Sequence, residues 1–535
     1  MTRSIIPFGF RAASFNKRRS RSHPTPVPPG GAAICAGVLF LTVIIGTTVF
    51  CQTIPQHLDS LFKSLYNYNH LNGNVLVAEK GKVIYEQSFG YADIKNKLPN
   101  NVRSDFTLGS VSKTLTSTAI LQLKEKGQLQ LDDPLIKYFP DFPYGEITIR
   151  HLLSHTSGLP DYDLYKDEME RDANKIFTNK DILPSLKSWK EPLHFKPGDK
   201  WQYVNTNFCL LALLVEKLSG LEFQSYMRKY IFMPAQMENT YFQAGPQNKG
   251  NGNRTINYEY PWLFSTEMEP ADSIKRNHWR SYSASGFVGQ GNIMTTTRDL
   301  LRFDEALYSG ALLSPSTLEE AFTPSKLNNG ENTKAENGTG KSSYGLGWFI
   351  FEDTTLGKIV WHSGGVPGGL SIFLRNISKK QTVIAFDNEF NTGLYSNGVK
   401  AMNILNGKHI TNSKSSLARE YSIALINKGT DYAFCKLLEL RADTSHYLLN
   451  EDDLNELGLQ LLYAATFENH LDLALEVLRL NILLFANGFN TYDSYGEALA
   501  VVGKKQEAIS MYKKSIELNP ENEGGKKALE ALLKR

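Results

Sequence analysis

The run Phe106-Thr107-Leu108-Gly109-Ser110-Val111-Ser112-Lys113-Thr114-Leu115 constrains this chain more than any other segment. It reads as a short extended stretch that enters a helix at Ser110. A serine and a lysine three residues apart share one helical face, one turn apart. An amine or ammonium therefore lies beside a hydroxyl. A neutral lysine there can take the serine proton, and the helix N-terminus favours the developing alkoxide. The helix is expected to run from Ser110 to about Lys126 and to stop at Gly127. On its own, S-x-x-K is a weak signal, because surface helices contain it by chance.

Two further motifs follow it along the chain. Tyr203-Val204-Asn205 precedes an apolar helical run, Cys209 to Leu218, that stops at Gly220. A tyrosine on such a loop can enter a pocket, and beside a lysine its pKa is expected to fall, making it a proton shuttle. Asn205 is placed to bind a substrate amide or to hold the lysine. The other reading is a turn asparagine capping the helix. His362-Ser363-Gly364-Gly365 follows an expected strand from Lys358 to Trp361. Gly368 to Arg375, a turn at Ser378-Lys379-Lys380, and Gln381 to Asp387 alternate like an antiparallel hairpin. Gly364 and Gly365 make a small-residue strand edge that a substrate backbone can approach and that can offer an N–H to an oxyanion. A glycine-rich strand end with a structural histidine is the alternative.

Together these motifs resemble the penicillin-recognising serine hydrolases, in particular the branch holding class C β-lactamases, D-aminopeptidases and related esterases. That family carries S-x-x-K, then Y-x-N, then K-T-G or H-x-G, in this order. Four further runs are similar to family signatures: Leu129-Gln130-Leu131-Asp132-Asp133-Pro134, Leu152 to Asp161, Gly291 to Leu300, and Tyr344-Gly345-Leu346-Gly347-Trp348. The resemblance covers about residues 55–410. It implies Ser110 as nucleophile, Lys113 and Tyr203 as proton carriers, and Asn205, His362, Gly364 and Gly365 against the substrate. The backbone N–H groups of Ser110 and Gly365 would form the oxyanion hole. His362 stands where β-lactamases carry the lysine of K-T-G. A histidine is mostly neutral at pH 7, so carboxylate recognition is weakened and the pattern leans toward esterases and D-peptidases.

Other chemistries find little support. G-x-S-x-G and H-E-x-x-H are absent from the sequence. His151 and His155 have metal-ligand spacing but no evident acidic third ligand. Gly338-Thr339-Gly340-Lys341-Ser342 has Ala335 where a phosphate loop needs glycine, and it lies in a polar run, Asn328 to Ser343, read as a solvated loop. Gly289-Gln290-Gly291 lacks the third glycine of a dinucleotide fingerprint, and Asn391-Thr392-Gly393 lacks a strand edge before it. No cofactor or metal is expected.

At 535 residues the chain should hold two or three units. Residues 1–30 carry six basic residues and no acid, while the remaining 52 basic and 55 acidic residues leave a net −3. No nucleic-acid partner is implied. Ala32 to Phe50 runs 19 residues without a charge behind that basic stretch. Residues 32–51 are read as a transmembrane or signal segment and residues 1–31 as a cytoplasmic N-terminus. Everything after Cys51 would lie outside the cytoplasm of a bacterium, in the periplasm, anchored or released. Four cysteines imply no disulfide framework.

Ile54 to Tyr68 reads as an amphipathic helix, and Val75 to Ala78 with Val83 to Gln87 as a hairpin around Lys80-Gly81. The expected fold for 53–410 is α+β: an antiparallel sheet built from both ends of the domain, flanked by helices, with a helical inserted region. Residues 415–535 are expected to be all-α. Asp472-Leu473-Ala474-Leu475 and Gln506-Glu507-Ala508-Ile509 lie 34 residues apart, and Tyr495 to Pro520 resembles a tetratricopeptide repeat. Such a region is either a protein-binding groove or a helical appendage. The functional expectation is an exported serine hydrolase acting through an acyl-enzyme on an ester or a D-amino-acid-containing peptide. A β-lactamase or cell-wall DD-peptidase, and a non-catalytic binding protein working through its repeats, are the alternatives.

Overall fold

A computed structural model describes residues 53–243, 252–337, 339–408, 410, 414–463 and 467–534. The basic N-terminus and the apolar segment 32–51 lie outside these residues. Among the described residues no helix is long and apolar enough to cross a membrane.

An eight-stranded antiparallel sheet organises the hydrolase part. Its spatial order is Ala335–Asn337, Gly340–Tyr344, Phe349–Phe351, Ile359–Val366, Gly369–Asn376, Gln381–Asp387, Gly73–Glu79 and Lys82–Ser88. The strands at the two ends of the domain meet in register, Gly73 opposite Asp387 and Val77 opposite Val383. The period-2 alternation of side chains explains why both faces are apolar. Val75, Val77, Ile372, Leu374, Val383 and Ala385 face one core with Leu58 and Phe62 of the Ile54–Asn67 helix and Met402 of the Leu394–Leu405 helix. Leu76, Ala78, Phe373, Ile384 and Phe386 face the other, with Leu115 and Ile120 of the Ser112–Glu125 helix and Leu210 and Leu211 of the Asn205–Ser219 helix. The central strands are buried on both sides, which is why Gln381–Asp387 reads as a nearly continuous apolar run.

Polar contacts pin the helices to this sheet. The Thr297–Tyr308 helix docks through a buried ion pair, Asp304 with Arg375, which also takes the Thr382 hydroxyl. The polar run 328–343 is not a free loop. Residues 335–337 and 340–344 form the outer hairpin of the sheet. Ser342 is buried and accepts a hydrogen bond from the Trp361 indole at 3.2 Å. Hydrophilic composition hid this strand because its burial is satisfied by hydroxyl and backbone bonds instead of apolar area.

The described residues between 417 and 534 form seven helices: Leu417–Lys428, Thr430–Arg441, Glu451–Tyr463, His470–Leu484, Phe489–Val501, Lys505–Leu518 and Glu523–Lys534. Most consecutive helices pack as neighbours, but Glu451–Tyr463 packs on Leu417–Lys428 in place of Thr430–Arg441, and Leu425, Leu454, Leu457, Leu461, Val477 and Leu478 share one core. Gly458 permits one close crossing, since a Cβ there would lie 2.4 Å from Leu478 Cγ.

Candidate active site

The short strand Phe106–Thr107 delivers the chain to Gly109, whose φ of +52° turns it into a 3-10 turn, Gly109–Val111, and then the Ser112–Glu125 helix. Ser110 is half-buried at the mouth of this turn, and Lys113 is fully buried one turn on. Lys113 Nζ lies 3.0 Å from Ser110 Oγ, 2.9 Å from Asn205 Oδ1 and 2.8 Å from the Gln290 carbonyl oxygen. The last two oxygens can only accept. A neutral amine has two N–H groups to spend there, which leaves its lone pair facing the Ser110 hydroxyl. Burial drives the lysine pKa down to about 7, partly opposed by Cys209 and Asp161. The neutral form is thus well populated near neutrality.

Asn205 begins the Asn205–Ser219 helix, which ends at Gly220 with φ +70°. Asp161 receives its first amides: Asn205 N–H at 2.9 Å and Thr206 N–H at 3.1 Å donate to Oδ1, while Asn205 Nδ2 donates to Oδ2 at 3.0 Å. A carboxylate at a helix start satisfies orphan amides and is favoured by the dipole. It also fixes the amide so that Oδ1 must face Lys113. Of the two roles open to Asn205, the described contacts are those of holding the lysine. Asp161 was not singled out as a site residue by sequence, although it closes the Leu152 to Asp161 run. Gln290 was missed because only its backbone is used.

Tyr203 differs from expectation. Its hydroxyl is buried with no hydrogen-bond partner among the described residues. Burial raises its pKa above the usual phenol value, and the nearby Ser110 only partly offsets this. Lys113 Nζ sits over the ring face, 4.8 Å from its centroid. Tyr203 is therefore a protonated donor.

His362 also corrects the sequence reading. It lies inside the Ile359–Val366 strand, not after it. Its imidazole is 1% exposed. Nδ1 is 2.7 Å from the Ser363 carbonyl, which can only accept, so Nδ1 carries the proton; Nε2 accepts from the Tyr344 hydroxyl at 3.1 Å. Burial and Lys113 push its pKa down to about 3. The ring is neutral and occupied on both nitrogens.

The glycines after it meet the Gly109–Val111 turn backbone to backbone. A Cβ on Gly364 would lie 2.2 Å from the Leu108 carbonyl oxygen and 3.0 Å from Ser110 N, and one on Gly109 would lie 2.9 Å from Gly365 N. Ser371 Oγ donates to the Leu108 carbonyl at 2.7 Å and Tyr395 Oη to the Gly364 carbonyl at 2.9 Å, tying the seam. The neighbouring strand pairs with this one only at Val360 and Trp361, so the edge from His362 to Val366 is left without that partner.

His155 carries the tyrosine loop. It adopts φ +57°, its carbonyl accepts from Gln202 N–H at 2.9 Å, and its Nδ1 accepts from Val204 N–H at 3.2 Å. Its ring lies 4.3 Å from that of Tyr203. His151 Nδ1 accepts from Thr148 N–H at the start of the Ile149–Leu153 helix. No group of three or more metal-ligating side chains occurs among the described residues.

The family described as Beta-lactamase matches residues 58–396, well over half of the chain. The chain belongs to this family of serine hydrolases. It is similar to Penicillin-binding protein 4* of Bacillus subtilis, with 37% identity over 341 residues, covering 63% of this chain and 72% of that protein. Among solved structures it is similar to a penicillin binding protein from Bacillus halodurans at 25% identity and TM-score 0.54, covering 65% of this chain and 99% of the other. It shares its fold with the D-amino acid amidase of Ochrobactrum anthropi at 20% identity and TM-score 0.52, covering 66% of this chain and 98% of the other.

Proposed function

We propose that this chain is an exported serine hydrolase that works through an acyl-enzyme on esters or D-amino-acid-containing peptides. The observation that carries the proposal is the contact set of Lys113: two obligate acceptors and one hydroxyl around a buried amine whose pKa is lowered to about 7.

Neutral Lys113 takes the Ser110 proton as Oγ attacks the substrate carbonyl, and becomes an ammonium held by Asn205 and Gln290. The oxyanion forms at the seam between the two glycine-rich backbones, where Ser110 N–H and Gly365 N–H serve as donors. Tyr203, protonated and without another partner, gives its proton to the leaving group and recovers one from Lys113. Water then attacks the acyl-enzyme by the reverse proton path, releasing the acid and restoring Ser110. Asn205 acts as a positioning residue for the lysine, and Gly364 and Gly365 contact substrate through backbone. Similarity to a penicillin-binding protein and a D-amino acid amidase supports a D-amino-acid or penicillin-like substrate class.

Residues 53–410 form the hydrolase in this reading, residues 32–51 hold or export it, and residues 415–535 form a tetratricopeptide-like helical unit. A β-lactamase or cell-wall DD-peptidase is the second reading, favoured by the relatives' names and disfavoured by a neutral, buried His362 in place of a cation. Fluorophosphonate labelling with peptide mapping tests the proposal: an adduct on Ser110 of folded protein is expected, and its absence overturns the acyl-enzyme. A substrate panel of acyl esters, D-alanyl peptides and a chromogenic cephalosporin separates the two readings. Cephalosporin turnover as fast as ester turnover would reverse their order.

A further inference from the structure

A hairpin of the hydrolase part reaches into the C-terminal helices. Its strands are Tyr258–Glu259 and Glu269–Pro270, and its tip carries Trp262, Leu263, Phe264 and Ser265. Leu263 and Phe264 pack against the core of the C-terminal helices, and Phe264 meets Phe467 edge-on. Arg419, on the Leu417–Lys428 helix, clasps the tip. It donates to the Leu263 carbonyl at 2.6 Å and the Ser265 carbonyl at 2.9 Å, and its guanidinium lies 3.5 Å from the centre of the Tyr260 ring. Leu263 N–H donates to Gln460 at 2.7 Å. The two Arg419 bonds are charge-assisted, which is the strong kind.

The base of the same hairpin holds the substrate-side strand. Buried Glu259 accepts from Gly368 N–H at 2.9 Å through Oε2, and from Arg276 at 2.6 Å and Asn277 at 2.7 Å through Oε1. Asn257 donates to the Pro367 carbonyl at 3.2 Å. Cβ atoms added to Gly368 and Gly369 would lie 2.7 Å from Ala271 Cβ and 2.8 Å from Asn257 Nδ2 respectively, so turn and hairpin base are in direct contact. Arg276 closes the path by donating to the carbonyls of Pro261 and Tyr260. The turn Val366-Pro367-Gly368-Gly369 follows immediately on Gly364 and Gly365. The edge His362 to Val366 points an extended chain lying along it toward this hairpin base.

We infer that the C-terminal helices are a working part of the hydrolase: through the 258–270 hairpin they hold the far end of the substrate-binding edge and set its fitness for extended peptidyl substrates. Arg419 and Glu259 are the positioning residues. The inference rests on the hydrolase reading above for its choice of substrate. A short ester needs only the Ser110 end of the edge, whereas a peptidyl chain needs the edge held straight to Val366.

The test uses the full chain carrying Arg419→Ala or Glu259→Gln; the second puts an amide donor against one or two of the three donors that converge there. Hydrogen exchange of the 364–369 segment should quicken by about tenfold in both variants, with the Ser112–Glu125 helix unchanged. The specificity constant for a tripeptide ending in D-alanine should fall about tenfold, mainly through KM, while that for a phenyl acetate ester stays within about twofold. Arg419→Lys keeps the charge but not the paired donors, and should reproduce the exchange change while melting as the native chain does. Unchanged exchange at 364–369, or equal losses on ester and tripeptide, would overturn the inference. If the native chain hydrolyses neither substrate and Ser110 takes no fluorophosphonate, the hydrolase reading fails instead, and the exchange arm alone decides whether the helices hold the turn.

Discussion

On the helical wall of the cleft, Ser110, Lys113, Asn205 and Asp161 present side chains linked by hydrogen bonds of 2.9 to 3.0 Å. On the sheet wall, the His362 to Val366 edge presents backbone, with its one titratable ring turned inward and neutral. The first wall desolvates an amine and fixes its partners. The second makes a surface by removing side chains so that two backbones can touch. The difference predicts which substitutions act through proton transfer and which through shape.

The largest effect is expected at the helical wall. Ser110→Ala and Lys113→Ala should each lower kcat by about 10³-fold or more, and the double variant should lose little beyond either single one, because both serve one proton path. Multiplicative losses in ester kinetics would break the shared-path assignment. Melting should stay close to native for Ser110→Ala, since only a hydroxyl at a helix start is removed.

Gly364→Ala should come next, and by a different route. Its methyl meets the Leu108 carbonyl at 2.2 Å, so the strand must part from the nucleophile turn. About 1–3 kcal/mol of stability should be lost by overpacking, together with most activity, although Ser110 and Lys113 remain. Native melting and native turnover in this variant would mean that the seam is looser than the backbone contact implies.

Asp161→Asn should be milder. The amide keeps an acceptor for the helix amides but turns a donor toward Asn205, loosening the lysine's partner. A loss of about 10- to 100-fold in kcat is expected from misplacement alone, with Ser110 still labelled by fluorophosphonate. An unchanged kcat would show that Asn205 holds Lys113 without its aspartate.

A pH profile separates the walls further. Activity on a neutral ester should rise with pH through about 7 as Lys113 loses its proton, and this limb should vanish in Lys113→Arg. Stability moves in the same sense. The unfolded lysine keeps its proton up to 10.5, the folded one releases it near 7, and between these the unfolded state binds more protons. The contribution of Lys113 to unfolding free energy therefore increases with pH across that window. Denaturant titrations of native chain and Lys113→Met at several pH values would show the native slope as the steeper. The smallest effect belongs to His362→Gln. A neutral side chain that can donate to the Ser363 carbonyl and accept from Tyr344 should leave ester turnover within about tenfold. A larger loss, with melting unchanged, would return the imidazole to the substrate's side of the strand.

Local pattern determined much of this molecule. The apolar run Gln381 to Asp387, the hairpin around Lys80-Gly81, the Ile54 helix and the stop at Gly127 were legible because neighbouring residues carry the whole signal. Ser110, Lys113, Tyr203 and Asn205 were legible as a set because their spacing matches a family order. The outer strands at 335–344 were not, since hydroxyl and backbone bonds satisfy them where the pattern looks for apolar side chains. Tertiary structure alone decided the protonation of the site. Whether Tyr203 ionises depends on its burial, and whether His362 faces substrate depends on Tyr344, 18 residues away, reaching its Nε2. A residue's type fixes which protons it owns, but desolvation and the direction of each hydrogen bond fix which of them it keeps, and those come from parts of the chain that only folding brings together.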